Sequence, residues 1–313
     1  MSATKSITIG TRGSPLALAQ AEEVRARLAS AHPALAAPDA IRIEVILTSG
    51  DRFTDRPLAD IGGKGLFTKE IEDALLERRI DIAVHSMKDV PTVLPDGLEI
   101  SCILPREDPR DVLIGDGLTG LDSLPQGARV GTASLRRQAQ LLHRRPDLNI
   151  SSLRGNVQTR LRKVEEGEVD ATLLAYAGLR RLGSYDDKWP VLGVDELLPA
   201  VAQGAIGIEC RSGDAPVLAA LDPLNCVRSA TRVACERALL AALDGSCRTP
   251  IAALAEISGD GSLRLRAQIA TTDGLTCHET ERSGSASDAV ALGHDAGAEL
   301  KARGGVDFFS DLP

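Results

Sequence analysis

ARVGTASLRRQAQLL, residues 128–142, repeats in outline what ITIGTRGSPLALAQ does at residues 7–20. Each reads as a short apolar strand, a Gly-Thr pair, a short loop with a serine, and then a helix. In the first copy Ser14 suits the N-cap and Pro15 the first helical position. A serine oxygen accepts one of the orphan N–H groups there, and proline has no N–H to lose. Strands alternating with helices predict a parallel α/β sheet, and two copies predict two similar lobes. Such lobes leave a cleft between them, with helix N-termini facing in.

The flanking sequence extends both copies. IRIEVILT from Ile41 alternates apolar and polar positions as a strand does. IGGKG (residues 61–65) breaks the chain ahead of an amphipathic helix carrying Phe67, Ile71 and Leu75. DIAVHSM from Asp81 predicts a buried strand ending at the polar pair Lys88 and Asp89. In the second half, LNISSLRGNVQTRLRKV (148–164) predicts a helix capped by Asn156, with Val157, Leu161 and Val164 on one face. DATLLAY from Asp170 is another buried strand, and VAQGAIGIEC (201–210) reads as a strand returning to the first lobe. After Asp222-Pro223 the pattern changes. A helix over about 227–243, the loop DGSCRTP (244–250), three strands joined by Gly-containing turns and a helix over about 287–303 follow. The expected division is therefore 1–104 with 204–222, 105–203, and a small α+β domain at 223–313.

Composition narrows the function. Of 313 residues 43% are apolar and 26% charged, as in a folded soluble protein. Aromatics make up only 2%, too few for the stacking platforms of a single-strand nucleic-acid binder, and a net charge of −8 disfavours a phosphate backbone. No stretch approaches a membrane span, and MSATKSITIG lacks the basic and apolar runs of a secretory signal, so a cytoplasmic setting is expected. Six cysteines are scattered without CxxC or paired metal spacing, and no metal site is expected.

The arginines carry the strongest local signal. Arg136 and Arg137 fall in the first turn of a predicted helix, where the macrodipole disfavours cations. Arg154 sits in a Gly-Asn loop before the next helix, Arg160 one turn in, and Arg12 in the matching loop of the first lobe. Strand-to-helix loops of open α/β sheets bind ligands, and guanidinium forks beside free N–H groups suit a small polyanion. Arg144, Arg145 and Arg162 read as solvated surface groups. IGGKGLF lacks the Walker spacing and GTRGSP is not the dinucleotide fingerprint, so phosphate and carboxylate ligands stay open. Asp89, at the end of an apolar strand, is a candidate general acid or cation stabiliser. His85, inside that strand, reads as a hydrogen-bonded core histidine. Cys247 lies in an irregular loop and is followed by an arginine, which favours the thiolate.

GTRGSPLALAQ, VHSMKDVP, GTASLRR, LRGNVQTR and GSCRTP occur here in one order, and together they resemble the porphobilinogen deaminase family from about Ile7 to the end. The resemblance implies two periplasmic-binding-protein-like (type II) α/β lobes around a cleft, plus a small C-terminal α+β domain carrying a cofactor cysteine. It implies a transferase of tetrapyrrole biosynthesis that condenses four porphobilinogens into hydroxymethylbilane with loss of ammonia. A dipyrromethane cofactor would be held by a thioether to Cys247, whose SCRTPI context matches the attachment loop. Asp89 would stabilise positive charge on the pyrroles, with Lys88 and Arg12 beside it in the catalytic set. Lys88, Asp89, Thr132, Ser134, Arg136, Arg137, Gly155 and Arg160 are implied cofactor contacts. Arg12, Ser14, Gln20, Lys64, Phe67, Arg154, Arg160, Arg181 and Gln203 are implied substrate contacts. Ala202 stands where glycine is more usual, which bears on hinge flexibility. Porphobilinogen is the implied partner, to a monomer with no nucleic acid and no membrane. The rival readings are a solute-binding module, which does not need the third domain, and a nucleotide-dependent kinase, for which no intact P-loop exists.

Overall fold

The computed structural model describes residues 6–52, 66–245, 249–305 and 308–309, so Lys64 and Cys247 lie outside the described residues. The chain begins with β1 (Ile7–Thr11), α1 (Pro15–Ala31), β2 (Ile41–Val45), α2 (Ser49–Arg52), α3 (Lys69–Leu76), β3 (Ile82–Ser86) and β4 (Leu98–Ile103). It continues through β5 (Asp111–Ile114), β6 (Arg129–Gly131), α4 (Leu135–Arg144), β7 (Asn149–Ser151), α5 (Val157–Glu165), β8 (Ala171–Ala175) and α6 (Tyr176–Arg181). Next come β9 (Ile206–Arg211), α7 (Ala215–Leu221) and α8 (Val227–Ala242). The last elements are β10 (Ile251–Ile257), β11 (Ser262–Ala270), β12 (Cys277–Ser285) and α9 (Ala289–Gly304). Two compact units form: residues 1–106 with 205–230, and residues 107–204 with 231–313.

In the first unit the strand order is β2-β1-β3-β9-β4. β1 runs parallel to β2 and β3, while β9 is antiparallel to β3 and β4. The expected return strand is thus β9, and it joins this sheet. All six of its residues are buried, which fits an interior strand covered on both faces. Helix α1 forms where the cap predicts: the Ser14 side chain accepts from the Ala17 amide at 3.3 Å. Ala17, Ala21, Val24 and Leu28, spaced three and four apart, are its buried face. Val24 and Leu28 pack with Ile9, Ile82 and Ile208 in the core beneath the sheet. Phe67 departs from expectation. Helix α3 starts only at Lys69, so Phe67 lies in the turn before it and not on the helix face.

In the second unit β5-β8-β6-β7 is the strand order, with β6 parallel to β7 and β8 and β5 antiparallel to β8. The strand–Gly-Thr–Ser–helix pattern repeats as read. Ser134 caps α4 by accepting from the Arg137 amide, and Asn156 caps α5 by accepting from Thr159 at 2.9 Å. Leu113, Val130, Leu141 and Leu173 build the core here. The C-terminal part of this unit is the antiparallel sheet β10-β11-β12, with α9 against β12 and β11. Its Thr271–Gly274 turn docks on α4: Gln138 Nε2 donates to the Thr272 carbonyl at 3.0 Å, and His143 Nδ1 lies 2.8 Å from the Gly274 carbonyl.

Helices α8 and α9 approach closely through glycine. A Cβ at Gly293 would lie 2.1 Å from the Cys235 carbonyl oxygen, and one at Gly297 would lie 2.8 Å from that of Leu239. Gly293→Ala would gain about 1 kcal/mol in helix propensity. Pushing two backbones apart costs about 1–3 kcal/mol or more, so the clash wins. The variant is expected to unfold at lower denaturant by about 1–2 kcal/mol. Gly259→Ala, with nothing within 4 Å of the added carbon, should be neutral in the same urea titration.

Candidate functional site

Arg12, Lys88, Asp89, Thr132 and Arg154 follow the carboxyl ends of parallel strands, where open α/β sheets hold ligands. In the first unit β1 and β3 are parallel neighbours, with Ile9 opposite Ile82 and Gly10 opposite Ala83. The segments after Thr11 and after Ser86 therefore emerge at one sheet edge. The Arg12 guanidinium lies over the Phe67 ring, 4.2 Å from its centroid, a cation–π contact. Gln20 is buried, and its amide nitrogen donates to the Ser86 hydroxyl at 2.8 Å, which ties α1 to the end of β3. The same pair helps hold the corner that carries Lys88 and Asp89. The corner is a single 3₁₀ turn, Met87–Asp89, whose Met87 is buried and donates its amide to the Ala205 carbonyl at 3.0 Å.

Lys88 and Asp89 are both half-buried on that turn. The Asp89 carboxylate has no hydrogen-bond or ion-pair partner among the described residues. A carboxylate held at a strand end without a partner is free to meet a cation. His85, by contrast, is the core histidine expected, with Nε2 2.9 Å from Oε2 of the fully buried Glu209.

The second unit gathers the arginines. Arg136 and Arg137 start α4 as read, and both are buried. The reason is Asp111, the first residue of β5, which is fully buried between them. Arg136 Nη2 donates to Asp111 Oδ2 at 2.7 Å and Arg137 Nη2 donates to Oδ1 at 2.8 Å. Burial alone would raise the Asp111 carboxyl, but the two guanidiniums outweigh it and hold the group well below the usual carboxylate range. Burial likewise lowers Arg136 from the ordinary arginine value, against the pull of Asp111. The excess is one positive charge, and the Arg136 Nε–H is buried with no acceptor among the described residues.

The other candidates of this half belong to the same unit. Thr132 is buried, and its hydroxyl accepts from the Ser134 amide at 3.1 Å, shaping the loop into α4. Arg154 and Gly155 follow β7; Gly155 takes φ +116°, open to glycine, and its carbonyl accepts from Arg160 Nε at 2.9 Å. Arg181, the last residue of α6, donates to the Gly204 carbonyl at 3.0 Å. Gln203 is buried and gives its amide to the Pro109 carbonyl at 2.6 Å and to Asp111 Oδ1 at 2.8 Å. Ala202 adopts φ +58°, the left-handed conformation that explains why glycine suits this position. Its amide is fastened to Glu236 Oε2 at 2.6 Å, and Glu236 Oε1 also accepts from Ala255 at 2.8 Å.

Sequence reasoning missed Asp111, although a carboxylate heading the apolar run DVLIG was a signal that a cation must come to it. Among the described residues no group of three or more His, Cys, Asp or Glu could hold a metal, and no helix is long and apolar enough to cross a membrane. What the two sets offer is fixed positive charge for carboxylates and one available carboxylate for a cation.

Comparison with known proteins fits that chemistry. The family model described as porphobilinogen deaminase, dipyromethane cofactor binding domain matches residues 7–219. The model described as porphobilinogen deaminase, C-terminal domain matches residues 230–302. The chloroplastic porphobilinogen deaminase of Oryza sativa subsp. japonica is 57% identical over 308 residues, covering 98% of this chain and 86% of that one. The porphobilinogen deaminase of Paracoccus denitrificans is 58% identical over 303 residues, covering 97% and 96%. An ABC transporter periplasmic binding protein from Brucella ovis with glutathione bound aligns over 77% of this chain and 70% of its own, at 16% identity and a TM-score of 0.43, a likeness from which nothing follows.

Proposed function

Because the chain belongs to the porphobilinogen deaminase family, we propose that Asp89, Lys88 and Arg12 serve its chemistry and that the second unit's arginines hold carboxylates. The enzyme is a transferase of tetrapyrrole biosynthesis: it condenses four porphobilinogens head to tail into hydroxymethylbilane and releases ammonia at each step. Its cofactor is dipyrromethane, which when bound supplies the terminal pyrrole carbon on which the chain grows. Cys247 is the proposed anchor, through a thioether. The donor set suits such a group, since each pyrrole unit brings carboxylates and the Arg136–Arg137–Asp111 cluster has one positive charge and one buried N–H to spare.

The observation that carries the reading is Asp89, half-buried at the end of β3 with no partner among the described residues. Departure of ammonia from porphobilinogen leaves positive charge on the pyrrole. A carboxylate already in position stabilises that charge without reorganisation. Lys88, on the same turn, and Arg12, at the neighbouring strand end, bring cations for substrate carboxylates; the Phe67 ring keeps the Arg12 plane oriented. Lys88, Asp89, Thr132, Ser134, Arg136, Arg137, Gly155 and Arg160 are the proposed cofactor residues. Arg12, Ser14, Gln20, Lys64, Phe67, Arg154, Arg160, Arg181 and Gln203 are the proposed substrate residues. Ser14, Gln20 and Gln203 also shape loops and corners through their hydrogen bonds. Segment 223–313 is proposed as a third domain, having its own sheet. The negative net charge and scarce aromatics support a protein that takes no nucleic acid, and we read it as a cytoplasmic monomer.

Arg154→Gln tests the arginine assignment. Loss of one charge-assisted hydrogen bond is worth about 1.5–3 kcal/mol, a ten- to hundredfold change in affinity. KM for porphobilinogen is expected to rise by that factor with kcat within about threefold, measured from initial rates. An unchanged KM would remove Arg154 from the substrate set.

A further inference from the structure

We propose that Asp111 is a positioning residue for the dipyrromethane site: it aims Arg136 and Arg137 and leaves the pair one unmatched positive charge, matched in turn by one carboxylate of the cofactor. The inference rests on the assignment of the two arginines to cofactor binding.

Asp111 has no exposed surface and receives four donors. Oδ2 accepts from Arg136 Nη2 at 2.7 Å and from Arg137 Nε at 3.3 Å. Oδ1 accepts from Arg137 Nη2 at 2.8 Å and from Gln203 Nε2 at 2.8 Å. The outer nitrogens are fixed as well, Arg136 Nη1 on the Leu198 carbonyl at 2.8 Å and Arg137 Nη1 on that of Leu173 at 2.9 Å. Two guanidiniums on adjacent residues of a helix's first turn repel each other and the helix dipole. Burial makes that repulsion stronger, because little water is left to screen it. The shared carboxylate is what allows both forks to stay in one geometry, and it cancels one charge of the two. One positive charge of the pair remains, and a single carboxylate of the cofactor answers it.

The test compares Asp111→Asn, Asp111→Glu, Gln203→Leu and Arg136→Gln with the wild type, all as purified full-length protein. The readouts are covalent dipyrromethane occupancy by intact mass, melting temperature, and KM for porphobilinogen. Asn keeps the shape of Asp without its charge; Glu keeps the charge and changes the shape. A packing role in a fully buried site favours Asn, whereas charge balance favours Glu. Asp111→Asn is expected to show about one fifth of wild-type occupancy or less, with Asp111→Glu restoring about half, and KM of the loaded fraction within about threefold. Full occupancy in Asp111→Asn, or better loading by Asn than by Glu, overturns the inference. Should neither Asp111 variant fold, Gln203→Leu removes one of the four donors and no charge; it should halve occupancy at a near-normal melting temperature, and unchanged occupancy overturns the inference. Arg136→Gln separates the two levels. If it loads normally, the assignment of the arginines fails; if it loads poorly while Asp111→Asn loads normally, only the positioning role fails.

Discussion

Asp89→Asn is expected to fold normally and to lose hydroxymethylbilane formation by two to three orders of magnitude, per molecule of loaded enzyme. The substitution removes a charge and almost no volume. The carboxylate makes no hydrogen bond or ion pair among the described residues, so stability should shift by no more than about 0.5 kcal/mol. What it removes is interaction with charge that develops only as ammonia leaves. Groups of that kind contribute about 2.7–4 kcal/mol, a hundred- to a thousandfold in rate. KM should move little, since ground-state porphobilinogen is bound through its carboxylates. Near-normal tetrapyrrole formation by the variant would sink the role assigned to Asp89. A large fall in melting temperature would recast it as a structural carboxylate.

The second large effect is that of Cys247→Ser, expected to abolish turnover and to melt at lower temperature than the wild type. Serine hydroxyl is too weak a nucleophile at neutral pH to stand in for the thiolate. Four of the other five thiols give no relief. Cys102 and Cys235 are buried, which pushes each up to about 12, and burial raises Cys277 to about 11; all three stay protonated at neutral pH. Cys210, buried on β9, is raised as well. A protein without its cofactor also lacks the stabilisation that a bound ligand gives the native state, hence the lower melting temperature. Residual turnover above a few per cent would point to a different anchor.

Local grammar carried much of the fold. The Gly-Thr–Ser–helix pattern is realised at β1–α1 and β6–α4; Ser14 and Asn156 cap their helices as expected, and Ser134, which the sequence shows only as a loop serine, caps α4. The return strand β9 was visible because its apolar run fits no exposed position. Reading Arg136 and Arg137 from helix position alone saw the charge but not its partner. Asp111 is 25 residues earlier in the chain than Arg136, and only the sheet order brings β5 beside β8 under α4. The Gln20–Ser86 bond was hidden for the same reason, being a contact across 66 residues. Phe67 was read one turn too far into its helix, and its cation–π contact with Arg12 is a tertiary fact that periodicity does not encode. Family motifs supplied Lys64 and the anchoring role of Cys247, whose loop and following arginine already set it apart; both fall outside the described residues.

The most direct measurement is the intact mass of the denatured wild-type protein beside that of Cys247→Ser. A covalent excess equal to two porphobilinogens less two ammonias, present in the wild type and absent from the variant, is the predicted result. An equal excess on both proteins, or a bare wild-type mass that stays bare after incubation with porphobilinogen, would contradict the account.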